Sequence, residues 1–253
     1  MNPTVGDVFS KIDDFAPFEQ AFEWDNCGLI VGSAKKRVSK VLVALDVCTS
    51  TLRQAIEKEV DLILTHHPSI FKPLSAISDP LIIGLIKNDI AVISAHTNLD
   101  VAVGGVNYAL AEKLGFYDVE PIYQKEKIAF VVCSTPIKTP TDFAKEVKHK
   151  LGAPYVQLYS PLDCQDKQIK KVGLCGGVGG DYCNIANDVC DIFVSSEFGY
   201  HRVISSPIFL LDVGHFYSEF PALKIFGKLV SDFGIEVFYQ DPKSFEINNY
   251  EVI

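Results

Sequence analysis

The chain carries little positive charge. Of its 253 residues, 23 are lysine or arginine and 32 are aspartate or glutamate, which gives a formal net charge of -9. A nucleic-acid surface needs clustered lysine and arginine to neutralise phosphates. The only local basic runs lie at residues 35–37 and 145–150. We therefore expect no nucleic-acid partner.

Long apolar runs are also lacking. Although 48% of the residues are hydrophobic, no stretch approaches the roughly 20 apolar residues that a membrane-spanning helix needs. The first 23 residues contain several acidic side chains and no apolar core, unlike a secretory signal peptide. These features predict a cytoplasmic protein with no membrane partner.

The seven cysteines lack any Cys-x-x-Cys pair, and their number is odd. Scattered cysteines of this kind are typical of reduced thiols in a cytosolic protein. Cys175, Cys183 and Cys190 are the only near-cluster, and their spacings of eight and seven favour core packing over a zinc site.

Short apolar runs alternate with segments of helical periodicity along the chain. Buried strands are predicted at residues 41–46, 62–65 and 90–94, with helices between them, which favours parallel strands joined by right-handed crossovers. A second set of strands and helices begins near residue 128. We predict an α/β fold of two similar domains, 1–122 and 123–253, each with a mainly parallel or mixed sheet flanked by helices.

Two adjacent histidines end the second of these strands. His66 and His67 follow the run Leu62–Thr65 and precede Pro68, so both should lie at the carboxyl edge of the sheet, where α/β proteins bind ligands. Neighbouring residues of an extended segment point in opposite directions, which suits two adjacent metal ions better than one. A pair of hydrogen-bonded loop histidines is the alternative.

Further imidazoles and carboxylates follow other strands. His96 and Asp100 come after the third strand, while His215 and Glu219 are four residues apart at a helix start and can reach a common centre. The second pair, taken alone, is better explained as a solvent-exposed pair. Together the candidate ligands supply three nitrogens and two carboxylates, enough for two divalent ions with coordination positions left open. They are His66, His67, Asp100, His215 and Glu219.

The ligand atoms of these residues narrow the choice of metal but do not identify it. Nitrogen and oxygen ligands without thiolate suit zinc, manganese, iron, cobalt or nickel. A glycine-rich loop at Gly176–Gly180 adds two further interpretations, phosphate binding by backbone amides or tight packing of strand against helix. The loop lacks the lysine and serine or threonine of a P-loop.

Four segments carry a resemblance to a known family. Residues 24–32, 65–74, 95–100 and 214–219 read WDNCGLIVG, THHPSIFKPL, AHTNLD and GHFYSE. In this order they resemble the signature segments of the GTP cyclohydrolase I type 2 homologue family, also called the NIF-three-like family. The likeness runs from Val5 to Glu236.

The resemblance implies a dinuclear metal site in the cleft between two α/β domains, with the five ligands given above, and a ring-shaped homohexamer. The resemblance also implies that His96 lies beside the metals but is not one of their ligands. Where the family often has an aspartate before its Tyr-His pair, this chain has Glu197 before Tyr200 and His201.

The activity implied by the family name is opening of the guanine imidazole ring of GTP, or of a related nucleotide, by hydroxide formed at the metals. His96, Glu197 and His201 are then the candidate catalytic residues that move protons. Two alternatives remain open: a two-metal phosphoesterase, and a non-catalytic protein that handles metal ions or binds a partner.

Overall fold

The computed structural model describes residues 2–162, 164 and 167–242. Backbone contacts divide the chain into two units. The first runs to Leu99 and resumes at Leu223, and the second is Asp100–Ala222. The boundary predicted at residue 122 falls inside a strand of the second unit, and the last strand of the chain belongs to the sheet of the first.

The first unit contains a five-stranded sheet in the order β1-β4-β3-β2-β11. Only β1 pairs antiparallel to its neighbour, and the other pairs are parallel. Its strands are β1 (Gly28–Val31), β2 (Lys40–Ala44), β3 (Leu62–Thr65), β4 (Ala91–Ser94) and β11 (Glu236–Tyr239). Its helices are α1 (Val5–Phe15), α2 (Thr49–Glu57), α3 (Pro80–Lys87) and α10 (Leu223–Val230), and α4 (Thr97–Asp100) ends at the first residue of the second unit.

Local signals in the sequence explain where these helices begin. Thr4 caps α1 through a reciprocal pair of hydrogen bonds with Asp7, which satisfies backbone N–H groups of the first turn. Asp79 accepts hydrogen bonds from the first turn of α3, whose first residue is Pro80. The sequence predicts a helix between the second and third of its buried strands, and α3 confirms it.

The second unit contains a six-stranded mixed sheet in the order β5-β6-β8-β9-β10-β7. The pairs β8–β9 and β9–β10 are parallel, and the remaining pairs are antiparallel. The strands are β5 (Val119–Gln124), β6 (Lys127–Lys138), β7 (Gln157–Tyr159), β8 (Ile169–Val178), β9 (Ile192–Ser196) and β10 (Phe209–Asp212). The helices are α5 (Val106–Leu114), α6 (Pro140–Leu151), α7 (Cys183–Val189), α8 (Tyr200–Ser205) and α9 (His215–Glu219).

Alternate residues of the second sheet build two separate cores. Val131 and Cys133 of β6 pack in one buried cluster, and Phe130 and Val132 pack in the other. This is the period of two that a strand covered on both faces requires. The second cluster also holds Cys175, Cys183 and Cys190, as the packing interpretation predicted. Burial raises the pKa of Cys190 to about 12, so its thiol stays protonated at neutral pH.

The architecture confirms the predicted α/β class with two sheets flanked by helices. The helix that begins at His215 is short and ends at Glu219. The chain passes from α9 through a 3₁₀ turn at Phe220–Ala222 into α10, because Pro221 has no N–H to donate to a carbonyl of the preceding turn, so the α-helical hydrogen-bond pattern is interrupted there. Within the described ranges, no helix combines the length and apolarity needed to cross a bilayer.

Candidate metal centre

The carboxyl ends of three parallel strands of the first unit lie side by side. Ala44, Thr65 and Ser94 are partners in register across β2, β3 and β4. His66 and His67 follow β3, and His96 follows β4 by two residues. The three imidazoles gather there, with ring centroids 4.9 to 5.3 Å apart. One ring nitrogen of each lies within 4.8 Å of those of the others.

The Nδ1 atom of each of these imidazoles faces an oxygen acceptor. That of His66 lies 2.9 Å from the carbonyl oxygen of Ala95, and that of His67 lies 2.8 Å from Oδ1 of Asp46. The Nδ1 atom of His96 is 2.9 Å from Oδ1 of Asp25. A carbonyl or carboxylate oxygen can only accept, so Nδ1 is the donor in each contact, and in a neutral imidazole Nε2 is then left without a proton. Metal-ligating histidines are held in this way by a second layer of acceptors.

The rings of His66 and His67 do not diverge as predicted. Both backbone N–H groups donate to the same neighbouring segment, that of His66 to Ala44 and that of His67 to Leu45. In a regular strand, successive N–H groups point to opposite sides. The alternation therefore ends at Thr65, and the two rings lie 4.9 Å apart.

Asp25 is a site residue that no metal-ligand or catalytic pattern of the sequence singles out. Its side chain is fully buried. Besides His96, it accepts hydrogen bonds from the backbone N–H and hydroxyl of Thr97, at 3.0 and 2.6 Å, and from the thiol of Cys27. Burial raises the pKa of Asp25, but the hydrogen bonds from His96, Cys27 and Thr97 outweigh it, and the net pKa lies well below the ordinary value. Asp25 is therefore a carboxylate at neutral pH.

We expect Asp25→Asn to lower the free energy of unfolding by about 2–4 kcal/mol. Both carboxylate oxygens accept hydrogen bonds, and an amide would turn one acceptor into a donor facing donors. Urea denaturation at neutral pH measures the change. Asp46→Asn is the matched control, because the side chain of Asp46 is 35% exposed and its amide oxygen can still accept from His67. Equal losses in the two variants would contradict the prediction.

The contribution of Asp25 to the free energy of unfolding depends on pH in a defined direction. Because the pKa of Asp25 is lowered on folding, its charge stabilises the fold above the ordinary pKa of about 4, and this contribution declines as the pH falls below that value. The stability gap between the wild-type protein and Asp25→Asn should therefore shrink as the pH falls below about 4.

The second unit brings together Asp100, His215 and Glu219. Nε2 of His215 lies 3.1 Å from Oε2 of Glu219, one turn further along α9. A carboxylate oxygen of Asp100 lies within 4.8 Å of one of Glu219. Glu219 is almost fully buried, whereas the side chain of His215 is about one-third exposed. The backbone carbonyl of Asp100 accepts a hydrogen bond from Asn107, which in turn accepts one from the N–H of Gly176.

The glycine-rich loop packs against this group. Gly177 has a φ of +63°, which L side chains rarely adopt, and a Cβ atom there would overlap Oε1 of Glu219. Its N–H donates to the hydroxyl of Ser218, and its carbonyl accepts from the hydroxyls of Ser195 and Ser196. These contacts favour the tight-packing interpretation of the loop over phosphate binding.

The remaining predicted residues occupy different positions. Glu197 directly follows β9 with a φ of +57°, and its Oε1 lies 3.3 Å from Nδ1 of His215. This places it behind the imidazole, in the position that Asp46 takes for His67. His201 lies exposed on α8, with its ring 5.4 Å from that of Tyr200.

The chain is similar to known proteins along most of its length. A family model described as Duf34/NIF3 (NGG1p interacting factor 3) matches residues 3–243. The chain is 36% identical over 233 residues to a Clostridium perfringens protein named GTP cyclohydrolase 1 type 2 homolog, covering 87% of this chain and 88% of the relative. A Lactococcus lactis protein of the same name is 30% identical, with 95% and 97% covered.

The fold has matching solved structures. A hypothetical protein of Staphylococcus aureus superposes with a TM-score of 0.90 at 25% identity, and the match covers 100% of both chains. A Bacillus cereus protein described as related to NIF3 gives a TM-score of 0.85 at 23% identity, with 95% of this chain and 97% of that chain covered. The second likeness concerns the fold alone.

Proposed function

Since the chain belongs to the Duf34/NIF3 family, we propose that it is a dinuclear metalloprotein that hydrolyses GTP or a related nucleotide. Two divalent ions would be held by His66, His67, Asp100, His215 and Glu219. The observation that carries the proposal is the arrangement of imidazoles whose Nδ1 atoms are held by oxygen acceptors, so that the unprotonated Nε2 atoms can ligate metal.

The donor set fits hard-to-borderline divalent metals. The residues offer neutral imidazole nitrogens and carboxylate oxygens, and Cys27, the thiol beside Asp25, is no competing ligand because burial and the neighbouring carboxylate raise its pKa to about 12. When bound, such ions supply Lewis acidity and lower the pKa of water toward about 7.

The chain's own residues then have separate tasks. His96 is held by the Asp25 carboxylate through Nδ1, so its Nε2 can take a proton, and the carboxylate stabilises the imidazolium that results. Glu197 faces Nδ1 of His215 and orients that ring toward Glu219. We keep His201 as a proposed proton carrier on the strength of the family resemblance.

The test is a metal-dependent assay of the purified protein. Apo-protein is loaded in turn with zinc, manganese, iron, cobalt or nickel and incubated with GTP, and formate release is measured. Glu219→Gln should abolish turnover, while Glu236→Gln on β11 should leave it unchanged. If no metal form releases formate or a pteridine product, the cyclohydrolase activity is excluded.

The same assay separates the two alternative functions. Turnover of an aryl phosphodiester without turnover of GTP would indicate a two-metal phosphoesterase. Stoichiometric, exchangeable metal without hydrolysis of either substrate would indicate a metal-handling or partner-binding protein.

We also propose that the protein acts in the cytoplasm as a homohexamer. Family membership supports this assembly. Light scattering coupled to size-exclusion chromatography should give six times the mass of one chain, and a monomeric mass would contradict it.

A further inference from the structure

Two exposed aromatic rings flank the imidazole of His96. Trp24 is 64% exposed and Phe71 is 48% exposed. Their ring centroids lie 6.0 and 5.8 Å from that of His96, and both planes are nearly perpendicular to the imidazole, at 76° and 87°. Large apolar side chains are normally covered, so two exposed rings beside one polar group indicate a surface that receives a ligand.

The polypeptide around both rings is fixed by hydrogen bonds that do not cover them. Trp24 precedes the buried Asp25 and stacks on Phe22, with centroids 6.0 Å apart and planes at 27°. The side-chain amide of Asn26 donates to the carbonyl oxygen of Ile70 at 2.5 Å, which ties the segment before Phe71 to the segment after Trp24. The backbone segments that carry the two rings are therefore held together before any ligand arrives, which lowers the entropic cost of binding.

The chemistry of the surface selects a planar ring. Aromatic side chains stack on the π-face of a heterocycle with little dependence on its substituents. The same surface adjoins the imidazole cluster, because the ring of His96 also contacts those of His66 and His67 at 5.2 and 5.3 Å. A ring held by Trp24 and Phe71 would thus lie beside the candidate metal ligands.

We propose that Trp24 and Phe71 form a binding subsite for a planar nitrogen heterocycle of the purine class, next to His96. The inference rests on the proposed nucleotide-hydrolase function and assigns the residues that hold the base. It also explains why the only tryptophan of the chain lies on the surface.

The single tryptophan makes the test direct. Its emission reports on Trp24 alone, so the zinc-loaded full-length protein is titrated with guanosine, GTP and tripolyphosphate, with free N-acetyltryptophanamide as the correction for light absorbed by the nucleotide. Guanosine and GTP should quench the emission saturably, and tripolyphosphate should not. Quenching by tripolyphosphate alone, or no saturable quenching by either ring compound, would overturn the subsite.

Variants separate the two rings from the rest of the surface. Phe71→Ala should weaken guanosine binding about tenfold or more, as expected for loss of one stacking partner. In equilibrium dialysis Trp24→Ala should do the same, and Trp24→Phe should retain most of the affinity. Tyr117→Ala, which removes an exposed ring of the second unit, is the control and should have no effect. Unchanged affinity in both alanine variants would refute the proposal.

Metal content and turnover are measured on the same samples so that the two hypotheses can fail independently. Normal metal content and GTP hydrolysis without ring-dependent quenching would reject the subsite and leave the proposed function standing. Ring-dependent quenching without hydrolysis would support the subsite and count against the activity. If the tryptophan emission changes with protein concentration but not with guanosine concentration, the surface is a contact between copies of the chain, and the subsite is rejected.

Discussion

His66→Ala is expected to lose one of the two divalent ions that we propose for each chain, while the protein keeps its fold. The imidazole of His66 is completely buried at the end of β3, where Ala95 sets its tautomer. Loss of a residue that merely orients a ligand costs about 10–100-fold in metal affinity, so loss of a ligand itself should cost at least about 100-fold. Elemental analysis after dialysis, followed by competition with a chelator, measures both stoichiometry and affinity.

The fold should tolerate this change. The substitution leaves a small cavity and removes the hydrogen bond to the carbonyl of Ala95, which together cost about 2–4 kcal/mol in the metal-free protein. Circular dichroism and urea denaturation follow that loss. His149→Ala is the control, because His149 is exposed on α6, and it should bind both ions. Complete unfolding of His66→Ala would instead show that the imidazole cluster is needed to stabilise the fold. If the variant still binds two ions tightly, His66 is not a ligand.

The sequence predicts the first unit's imidazole cluster because the information is local. Apolar runs identify β2, β3 and β4, and parallel pairing places the residues that follow them at one edge. The positions of His66, His67 and His96 follow from that rule. The residues that hold these rings do not follow from it, because Asp46 and Asp25 are 21 and 71 residues away in sequence from the histidines that they contact. An aspartate between a tryptophan and an asparagine has no local pattern that distinguishes it from a turn residue.

The order in which the chain visits the two sheets also cannot be predicted from hydrophobic periodicity. β11 pairs parallel to β2, so residues 236–239 return to the first sheet after the whole second unit has been completed. Each strand carries a signal for being a strand, but nothing within residues 236–239 specifies which sheet they join. β5 was missed for a related reason: it is an edge strand containing Pro121 and exposed side chains, which weakens the alternation of apolar residues.

Gly177→Ala is expected to weaken metal binding by the second unit's ligands by about 10–100-fold, the range found when the support of a ligand is disturbed. A methyl group at this position would occupy the space of the Glu219 carboxylate and would lie 3.4 Å from Nε2 of His215. Glu219 is nearly fully buried, so it has little room to move aside. The left-handed backbone adds about 1–2 kcal/mol of strain to the folded state.

Two measurements separate displacement of the ligand from simple loss of stability. Metal affinity is obtained by chelator competition at a temperature where circular dichroism shows the variant to be folded, and stability is obtained by urea denaturation. Gly180→Ala is the matched control in the same loop, since no described atom lies within 4 Å of a Cβ there and no positive φ is involved. It should bind metal normally. If Gly177→Ala is destabilised but binds metal as tightly as Gly180→Ala, the prediction is wrong. The Glu219 carboxylate can then bind metal from another position, and the close approach of Gly177 contributes to packing alone.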